Sequence, residues 1–327
     1  MTQQYFKRRD ALKAIAALCA APALSDAADN VAKGQAFKLF DSHAHLISPD
    51  RIKYPAKSLV NEPVRESAFI NPITVERLIE AMDANGVAQA CAVQRARIYG
   101  YDNRYITDSV RRYPKRLRAI VVVDATSDAT PKRMREYVSR EGVFGIRLMS
   151  NREDGALDWL DSAQSLEVWR AAKELRIPVV IEFYQANVID GFTRLLKLLE
   201  RIPDVPVVLD HLGFPPPEGA PNYGLSDAWQ PLREHPSIYF KYSTINAEGV
   251  PAAGTKGLVD RGIDPAAFVR HAVDLYGADR VMWGSDIGQS NGTYAELVQL
   301  GKAMAARLSI GEQRKVLHDT AARVFKA

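Results

Sequence analysis

The sequence is poor in cysteine, carries no charge excess of either sign and lacks long apolar runs. Its two cysteines, Cys19 and Cys91, permit at most one internal disulfide, so a disulfide scaffold is excluded. The 43 basic and 39 acidic residues give a formal net charge of +4, which does not indicate a nucleic-acid partner. No apolar run approaches the roughly 20 residues that span a bilayer, so we expect no membrane partner for the mature chain.

The first 27 residues have the layout of an export signal. Arg8 and Arg9 lie in a basic start, and an apolar run at 14–21 leads into small residues. Paired arginines of this kind resemble the twin-arginine type of signal. We therefore expect residues 1–27 to be removed during export to the periplasm, which would leave Cys91 without a partner for an internal disulfide. A loose basic amphipathic tail is the alternative interpretation.

From residue 38 onward, eight short apolar runs rich in Val, Ile and Phe alternate with helical patterns. The predicted strands are Lys38–Asp41, Ala88–Val93, Leu117–Val123, Val143–Leu148, Ile177–Phe183, Val205–Leu209, Ile238–Tyr242 and Arg280–Trp283. The predicted helices are Val75–Asn85, Thr130–Arg140, Gln164–Leu175, Val188–Glu200, Pro265–Tyr276, Thr293–Arg307 and, at the end, Ile310–Val324.

This alternation predicts an α/β fold with a parallel sheet, and eight units fit a closed (β/α)8 TIM barrel with an extra C-terminal helix. No Ser/Gly-rich linker interrupts residues 38–327, so we predict one domain there. An open doubly wound sheet is the alternative, but no Gly-rich phosphate-binding fingerprint follows any predicted strand. Two long loops, 47–71 and 213–225, follow the first and sixth strands and are predicted to form walls or lids of an active site.

Two histidines stand at the end of the first predicted strand. His43 and His45 are two residues apart, so in a strand both side chains lie on one face. Imidazoles that converge in this way supply half of a site for a divalent metal such as Zn²⁺. The sequence therefore indicates a metal half-site at the mouth of the barrel.

Three further polar residues follow predicted strands: Glu182 ends the fifth, His211 follows the sixth and Asp286 follows the eighth. Because barrel active sites lie at the carboxyl ends of the strands, we expect these groups to meet His43 and His45. The other histidines lie in predicted helices or turns, and we assign them to the surface or to packing: His235, His271 and His318.

Several motifs, in order along the chain, resemble the amidohydrolase superfamily, in the branch that holds 2-pyrone-4,6-dicarboxylate lactonase and sugar-acid lactonases. The resemblance covers about residues 38–326. Its motifs are Asp41–His45, Tyr99–Arg104, Gly145–Arg147, Leu209–Gly213, Lys241–Ser243 and Trp283–Asp286. It implies a hydrolase that opens a small-molecule substrate, a carboxylated or sugar-acid lactone.

The resemblance also implies roles for individual residues. His43 and His45 match the metal-binding pair of the first strand, and His211 matches the histidine of the sixth. Asp286 matches the aspartate of the eighth strand that acts as general base. Arg147 matches an arginine that helps to hold an anionic substrate in the dicarboxylate lactonases.

Glu182 departs from the superfamily pattern, which has a histidine or lysine in the fifth strand. It could complete a metal site with His43, His45 and Asp286, since carboxylate oxygen suits Zn²⁺ or Mn²⁺. It could equally be a hydrogen-bonding residue in a metal-free site, because the resemblance includes lactonases that hydrolyse without a metal. We expect a divalent metal, with zinc as the first choice.

Further candidates for substrate binding come from neighbouring strand ends: Arg97, Arg152 and Tyr184. Surface ion pairs and packing are the alternatives for these side chains. The second functional hypothesis is a metal-dependent nonoxidative decarboxylase of the same superfamily, although such relatives usually keep the histidine in the fifth strand. A third is a binding protein on a retired enzyme scaffold, which the joint presence of His43, His45, His211 and Asp286 disfavours.

Overall fold

The computed structural model describes most of the chain. The described residues are 37–59, 64, 66–149, 156–183, 185–249 and 254–326. The predicted export signal at residues 1–27 lies outside this part of the chain, and so do the candidate substrate-binding residues Arg152 and Tyr184.

Eight strands form one parallel sheet whose spatial order follows the chain. They are β1 (Leu39–His45), β2 (Val87–Val93), β3 (Leu117–Val122), β4 (Val143–Met149), β5 (Val179–Glu182), β6 (Val207–Leu209), β7 (Ile238–Ser243) and β8 (Val281–Gly284). All eight predicted strands are confirmed, with ends that differ by a few residues. The largest extension is in β1, which continues to His45 because its polar residues are as buried as its apolar ones.

Hydrogen bonds join the ends of β8 and β1. The Asp286 N–H donates to the His43 carbonyl at 2.7 Å, and the His45 N–H donates to the Ile287 carbonyl at 2.9 Å. The Ser42 hydroxyl donates to the carbonyl of Trp283 at 2.6 Å. The sheet is therefore a nearly closed barrel, and the predicted TIM-barrel architecture is confirmed.

Helices connect the strands. They are α1 (Val75–Ala84), α2 (Ala96–Tyr99), α3 (Arg104–Arg112), α4 (Thr130–Arg140), α5 (Asp158–Asp161), α6 (Ala163–Leu175), α7 (Val188–Arg201), α8 (Thr244–Glu248), α9 (Pro265–Tyr276), α10 (Tyr294–Met304), α11 (Ile310–Arg314) and α12 (Thr320–Val324). Side-chain caps begin several of them. The Asp264 carboxylate, for example, accepts from the Ala266 N–H at 2.8 Å, and Pro265 occupies the first turn of α9. None of the helices in the described ranges combines the length and apolar character that crossing a bilayer requires.

The sequence pattern did not predict α3, the longer of the two helices between β2 and β3. Its buried face includes Thr107 and Ser109 beside Ile106 and Val110, so the apolar residues do not recur at a clear helical spacing. The Ser109 hydroxyl is satisfied inside the helix, because it donates to the Tyr105 carbonyl at 2.7 Å. A polar residue can therefore lie on the buried face without an unpaired group.

The C-terminal segment closes the floor of the barrel. The predicted helix Ile310–Val324 is helical throughout, but a π-helical stretch (Lys315–Asp319) separates α11 from α12. The inner cluster at this end consists of Phe40, Cys91, Val93, Ile120, Val180, Val208, Met282, Ala321, Val324 and Phe325. The C-terminal residues thus fill the amino-terminal end of the barrel, and they leave the carboxyl ends of the strands free for a site.

Candidate active site

A cavity of about 810 Å³ opens at the carboxyl ends of the strands. Ile47, Asn71 and other residues of the loop after β1 line it, so the prediction that this loop forms a wall is confirmed. The loop after β6 contributes Phe214 among the described lining residues. The segment after β8, residues 286–292, forms much of the remaining rim, which the sequence did not indicate.

Three ligand-type atoms meet at the base of this cavity. The Nε2 atoms of His43 and His45 lie 3.2 Å apart. Asp286 Oδ1 lies 3.5 Å from His43 Nε2 and 3.3 Å from His45 Nε2. All three side chains are buried, and their ligand atoms lie within 4.8 Å of one another. The predicted convergence of the first and eighth strands is therefore found in the fold.

The protonation of this cluster suits a cation. His45 Nδ1 faces the Val93 carbonyl at 2.8 Å, which can only accept, so Nδ1 carries the ring proton and Nε2 presents a lone pair. Burial lowers the pKa of both imidazoles well below the usual value, and the charge of Arg95 adds to this effect at His45. Asp286 Oδ1 is buried without a hydrogen-bond partner.

His45 Nε2 and Asp286 Oδ1 are thus neighbouring acceptors, and His43 Nε2 is a third when the His43 proton lies on Nδ1, 3.2 Å from Asp210 Oδ1. This arrangement leaves a buried carboxylate oxygen unsatisfied. Two neutral imidazoles and one carboxylate are ligands typical of Zn²⁺ and Mn²⁺ in proteins, and a catalytic site of this kind keeps a further position for water or substrate. His43, His45 and Asp286 therefore fit a divalent metal.

Asp286 is held in place by the turn after β8. Its φ of 57° lies in the left-handed region, and its Oδ2 accepts from the Ser290 hydroxyl at 3.2 Å. The preceding Ser285 donates through both its N–H and its hydroxyl to Asp41 in β1. The Tyr294 hydroxyl also donates to Asp41, at 3.0 Å. Asp41, which was not among the predicted site residues, thus ties the Gly-Ser-Asp turn to the histidine strand.

A layer of buried charges lies behind the histidines. Asp210 Oδ1 lies 3.2 Å from His43 Nδ1 and 3.1 Å from Lys241 Nζ, and its Oδ2 accepts from Arg147 Nε at 2.8 Å. Burial alone would raise the pKa of Asp210, but the charges of Lys241 and Arg147 hold it well below the usual range. Asp210 and Lys241 were not among the predicted site residues. A lysine inside the apolar strand β7 was the signal that could have found them.

Glu182 lies against Arg147. Its Oε2 is 3.2 Å from Arg147 Nη2, and it does not belong to the group of three metal-ligand atoms formed by His43, His45 and Asp286. Arg147 is 3% exposed and contacts two carboxylates, Glu182 and Asp210. Both Glu182 and Arg147 line the cavity, as predicted from their strand ends.

His211 lines the cavity beside the cluster. Its ring centroid lies 5.2 Å from that of His43, and its Nδ1 is 2.6 Å from the Ser243 hydroxyl. The Asn246 amide donates to the His211 carbonyl at 2.9 Å, which stabilises the left-handed backbone (φ 54°) at this residue. Arg97 also lines the cavity.

The cavity lining includes one arginine that was not predicted, and it does not include the remaining three histidines. Arg95, at the end of β2, lines the cavity and was missed by the sequence analysis. The histidines assigned to the surface or to packing are not among the lining residues: His235, His271 and His318.

Known proteins share this fold and sequence pattern. The chain is 26% identical over 190 residues to L-fucono-1,5-lactonase from Burkholderia ambifaria, a match that covers 57% of this chain and only 60% of that relative's length. It is 23% identical over 300 residues to 4-sulfomuconolactone hydrolase from Rhizobium radiobacter, covering 88% of this chain and 89% of that protein. A zinc-bound amidohydrolase structure from Burkholderia multivorans superposes with a TM-score of 0.70 at 19% identity, covering 89% of this chain and 99% of that one.

The family comparison covers almost all of the described chain. The family model described as amidohydrolase matches residues 40–327, from the first strand of the barrel through the segment that closes its floor. The match includes the His43, His45, His211 and Asp286 positions. The chain belongs to the amidohydrolase family.

Proposed function

We propose that this protein is a lactonase, in which Asp286 acts as general base on the water that opens the lactone ring. The observation that carries the proposal is the unpartnered Asp286 Oδ1, buried beside two neutral histidines and open to the cavity. The two relatives named lactonase and lactone hydrolase support the reaction class.

We propose further that His43, His45 and Asp286 hold a divalent metal, with zinc as the first candidate. When bound, such an ion would supply Lewis acidity to polarise the lactone carbonyl. Glu182 is assigned a different role: its ion pair with Arg147 fixes the guanidinium at the cavity wall. For Glu182 we thus propose a hydrogen-bonding role, here beside a metal site and not in the metal-free site for which the sequence analysis considered that role.

The protein's own groups move the proton. Asp286 accepts a proton from water as the water oxygen bonds to the lactone carbonyl carbon. When the ring C–O bond breaks, Asp286 returns that proton to the alkoxide, and the product is an open-chain hydroxy acid. Ser243 is placed to donate to His211 Nδ1, which leaves the proton on Nε2 for a hydrogen bond to the developing oxyanion.

Hydrolysis assays on carboxylated and sugar-acid lactones test this function. The purified protein should acidify a weakly buffered lactone solution, and Asp286→Asn should lower kcat by about 10³-fold or more with an unchanged thermal unfolding curve. Ser290→Ala, which removes only the hydroxyl that donates to Asp286 Oδ2, is the matched control and should lose far less. Full activity in Asp286→Asn would overturn the assignment of the base. Release of CO₂ without ring opening would favour the decarboxylase hypothesis.

Export of the protein is a separate proposal, and the basic-apolar-small pattern of residues 1–27 supports it. Fusing residues 1–37 to a reporter that works only after folded export would test it. We expect periplasmic reporter signal that disappears when Arg8 and Arg9 are both changed to lysine. Signal that persists in the double variant would contradict the twin-arginine route.

A further inference from the structure

Arg95 lies at the end of β2, where its side chain lines the cavity near the metal-ligand cluster. Burial lowers its pKa to about 10, while the charges of Asp286 and Glu182 act in the opposite direction. The guanidinium is therefore protonated at neutral pH. The side chain as a whole is half-buried in the cavity wall, but its Nε atom is removed from water, and an N–H in that position that finds no acceptor costs free energy.

The described residues do not supply that partner at contact distance. Arg95 Nε is removed from solvent without a hydrogen-bond acceptor, and no ion pair within 4 Å joins Arg95 to a carboxylate of the described residues. Arg147 is the contrast, since its guanidinium contacts both Asp210 and Glu182. Arg147, which the sequence analysis assigned to holding an anionic substrate, is thus already neutralised by these two carboxylates.

Asp286 is the carboxylate whose charge acts most strongly on Arg95. Once a divalent cation is held by His43, His45 and Asp286, the negative charge of Asp286 is directed to that cation. The Arg95 guanidinium then faces the cavity, and none of the described residues that line the cavity brings a carboxylate into contact with it.

We propose that Arg95 binds a carboxylate of the substrate, so that the enzyme selects lactones that carry a carboxylate over uncharged ones. This inference rests on the proposed lactonase function and names the substrate class of the same site. Guanidinium pairs with carboxylate through two parallel N–H···O bonds, a geometry that an amide or ester does not reproduce. Arg95 is therefore the specificity-determining residue, and Arg147 with Glu182 forms the wall beside it.

A matched pair of substrates tests the selection. The measurement is kcat/KM for muconolactone, which carries a carboxylate, and for its methyl ester, which has the same ring without the charge. In Arg95→Gln the ratio between these two values should fall at least about tenfold, mainly through KM for muconolactone. Arg95→Lys, which keeps the charge but loses the planar fork, should recover part of the ratio.

Arg118 provides the control. It is a buried arginine at the start of β3, at the opposite end of the barrel, where its Nη1 donates to the carbonyls of Pro114 and Leu117. Arg118→Gln should leave the ratio within about twofold of the original value. An unchanged ratio in Arg95→Gln, or an equal fall in Arg118→Gln, would overturn the proposal.

A binding measurement separates this inference from the lactonase proposal. Calorimetric titration with 2-furoate, a ring carboxylate that cannot be hydrolysed, should show binding at least about tenfold weaker in Arg95→Gln than in the unsubstituted protein. The comparison is made before and after metal removal, and 2-furamide is the uncharged probe. If no lactone is hydrolysed but 2-furoate binding depends on Arg95, the anion site stands and the lactonase function fails. If lactones are hydrolysed and 2-furoate binding does not depend on Arg95, the anion site fails alone.

Discussion

Lys241 and Asp210 form an ion pair, 3.1 Å between Nζ and Oδ1, in which neither side chain is exposed to solvent. Arg147 and His43 complete the surroundings of Asp210. The pair therefore links β7 to the histidine strand from inside the barrel, directly behind the metal-ligand cluster.

Removing the lysine charge should destabilise the protein strongly. Lys241→Met keeps the side-chain length but leaves Asp210 with one fewer buried partner, and we expect the free energy of unfolding to fall by about 3 kcal/mol. Urea unfolding measures this loss. Lys315→Met is the control, since Lys315 pairs with Asp279 at the exposed surface and should change stability by less than about 1 kcal/mol. Equal losses in both variants would contradict the structural role of the buried pair.

The metal content of the purified protein should depend on His43, His45 and Asp286, and not on Glu182. We expect about one divalent ion per chain in the unsubstituted protein, and loss of that ion in His45→Ala and in His43→Ala. Glu182→Gln keeps the size of the side chain and should retain the metal. Elemental analysis by mass spectrometry after gel filtration makes the measurement. Metal loss in Glu182→Gln would instead make Glu182 a ligand.

Glu312 should make stability depend on pH in the acid range. Hydrogen bonds from Arg270, with Ser309 adding to the effect, lower the pKa of Glu312 to about 2 from 4.5. Because the folded pKa is the lower one, the stabilisation is complete above pH 4.5 and is lost as the pH falls toward 2. Glu312→Gln should therefore cost about 1–2 kcal/mol at pH 7, and much less near pH 2, after allowance for partial solvent screening.

Unfolding measured at both pH values checks this difference. Glu296→Gln is the matched control, because Glu296 occupies the same position of a capping box in α10, with Thr293 in place of Ser309. A loss in Glu312→Gln that is the same at both pH values would show that packing, and not charge, is responsible.

Gly284 should be sensitive to a single added methyl group. A Cβ at this position would lie 2.6 Å from His43 Cβ and 3.1 Å from His43 N, where β8 passes β1. We expect Gly284→Ala to separate these strands, to cost about 1–3 kcal/mol and to weaken metal binding. Gly311→Ala is the control: a Cβ there meets nothing within 4 Å, and the alanine should be neutral or slightly stabilising in α11. Metal titration that gives the same affinity in Gly284→Ala and in the unsubstituted protein would refute this reasoning.

The sequence was sufficient for the barrel because each strand contains a buried apolar run, even where polar residues extend the strand, as in β1. The runs at Val143–Met149 and Ile238–Ser243 illustrate this, since both fall within a residue or two of the predicted ends. The helix at Arg104–Arg112 was missed because its buried face is partly polar. A local hydrophobic pattern identifies a helix or strand only when the residues on its buried face are apolar.

The candidate site was predictable in part for a related reason. His43, His45 and Asp286 follow strand ends, and topology alone places strand ends together. The orientation of Glu182 toward Arg147 depends on which charges surround it after folding, and no spacing along the chain contains that information. The same holds for Arg95, because only the folded structure shows that its Nε lacks a hydrogen-bond acceptor.

The seal formed by Phe325 at the floor of the barrel has a consequence for how the protein is made. Phe325 packs in the same inner cluster as Phe40, so contacts that complete the barrel interior join its first strand to the segment after α12. Non-local contacts of this kind form slowly, and a nascent chain that lacks the final helix leaves the barrel interior open to solvent and to other chains. We expect the barrel to reach its finished form only after Phe325 has emerged from the ribosome, with a dependence on chaperones until then.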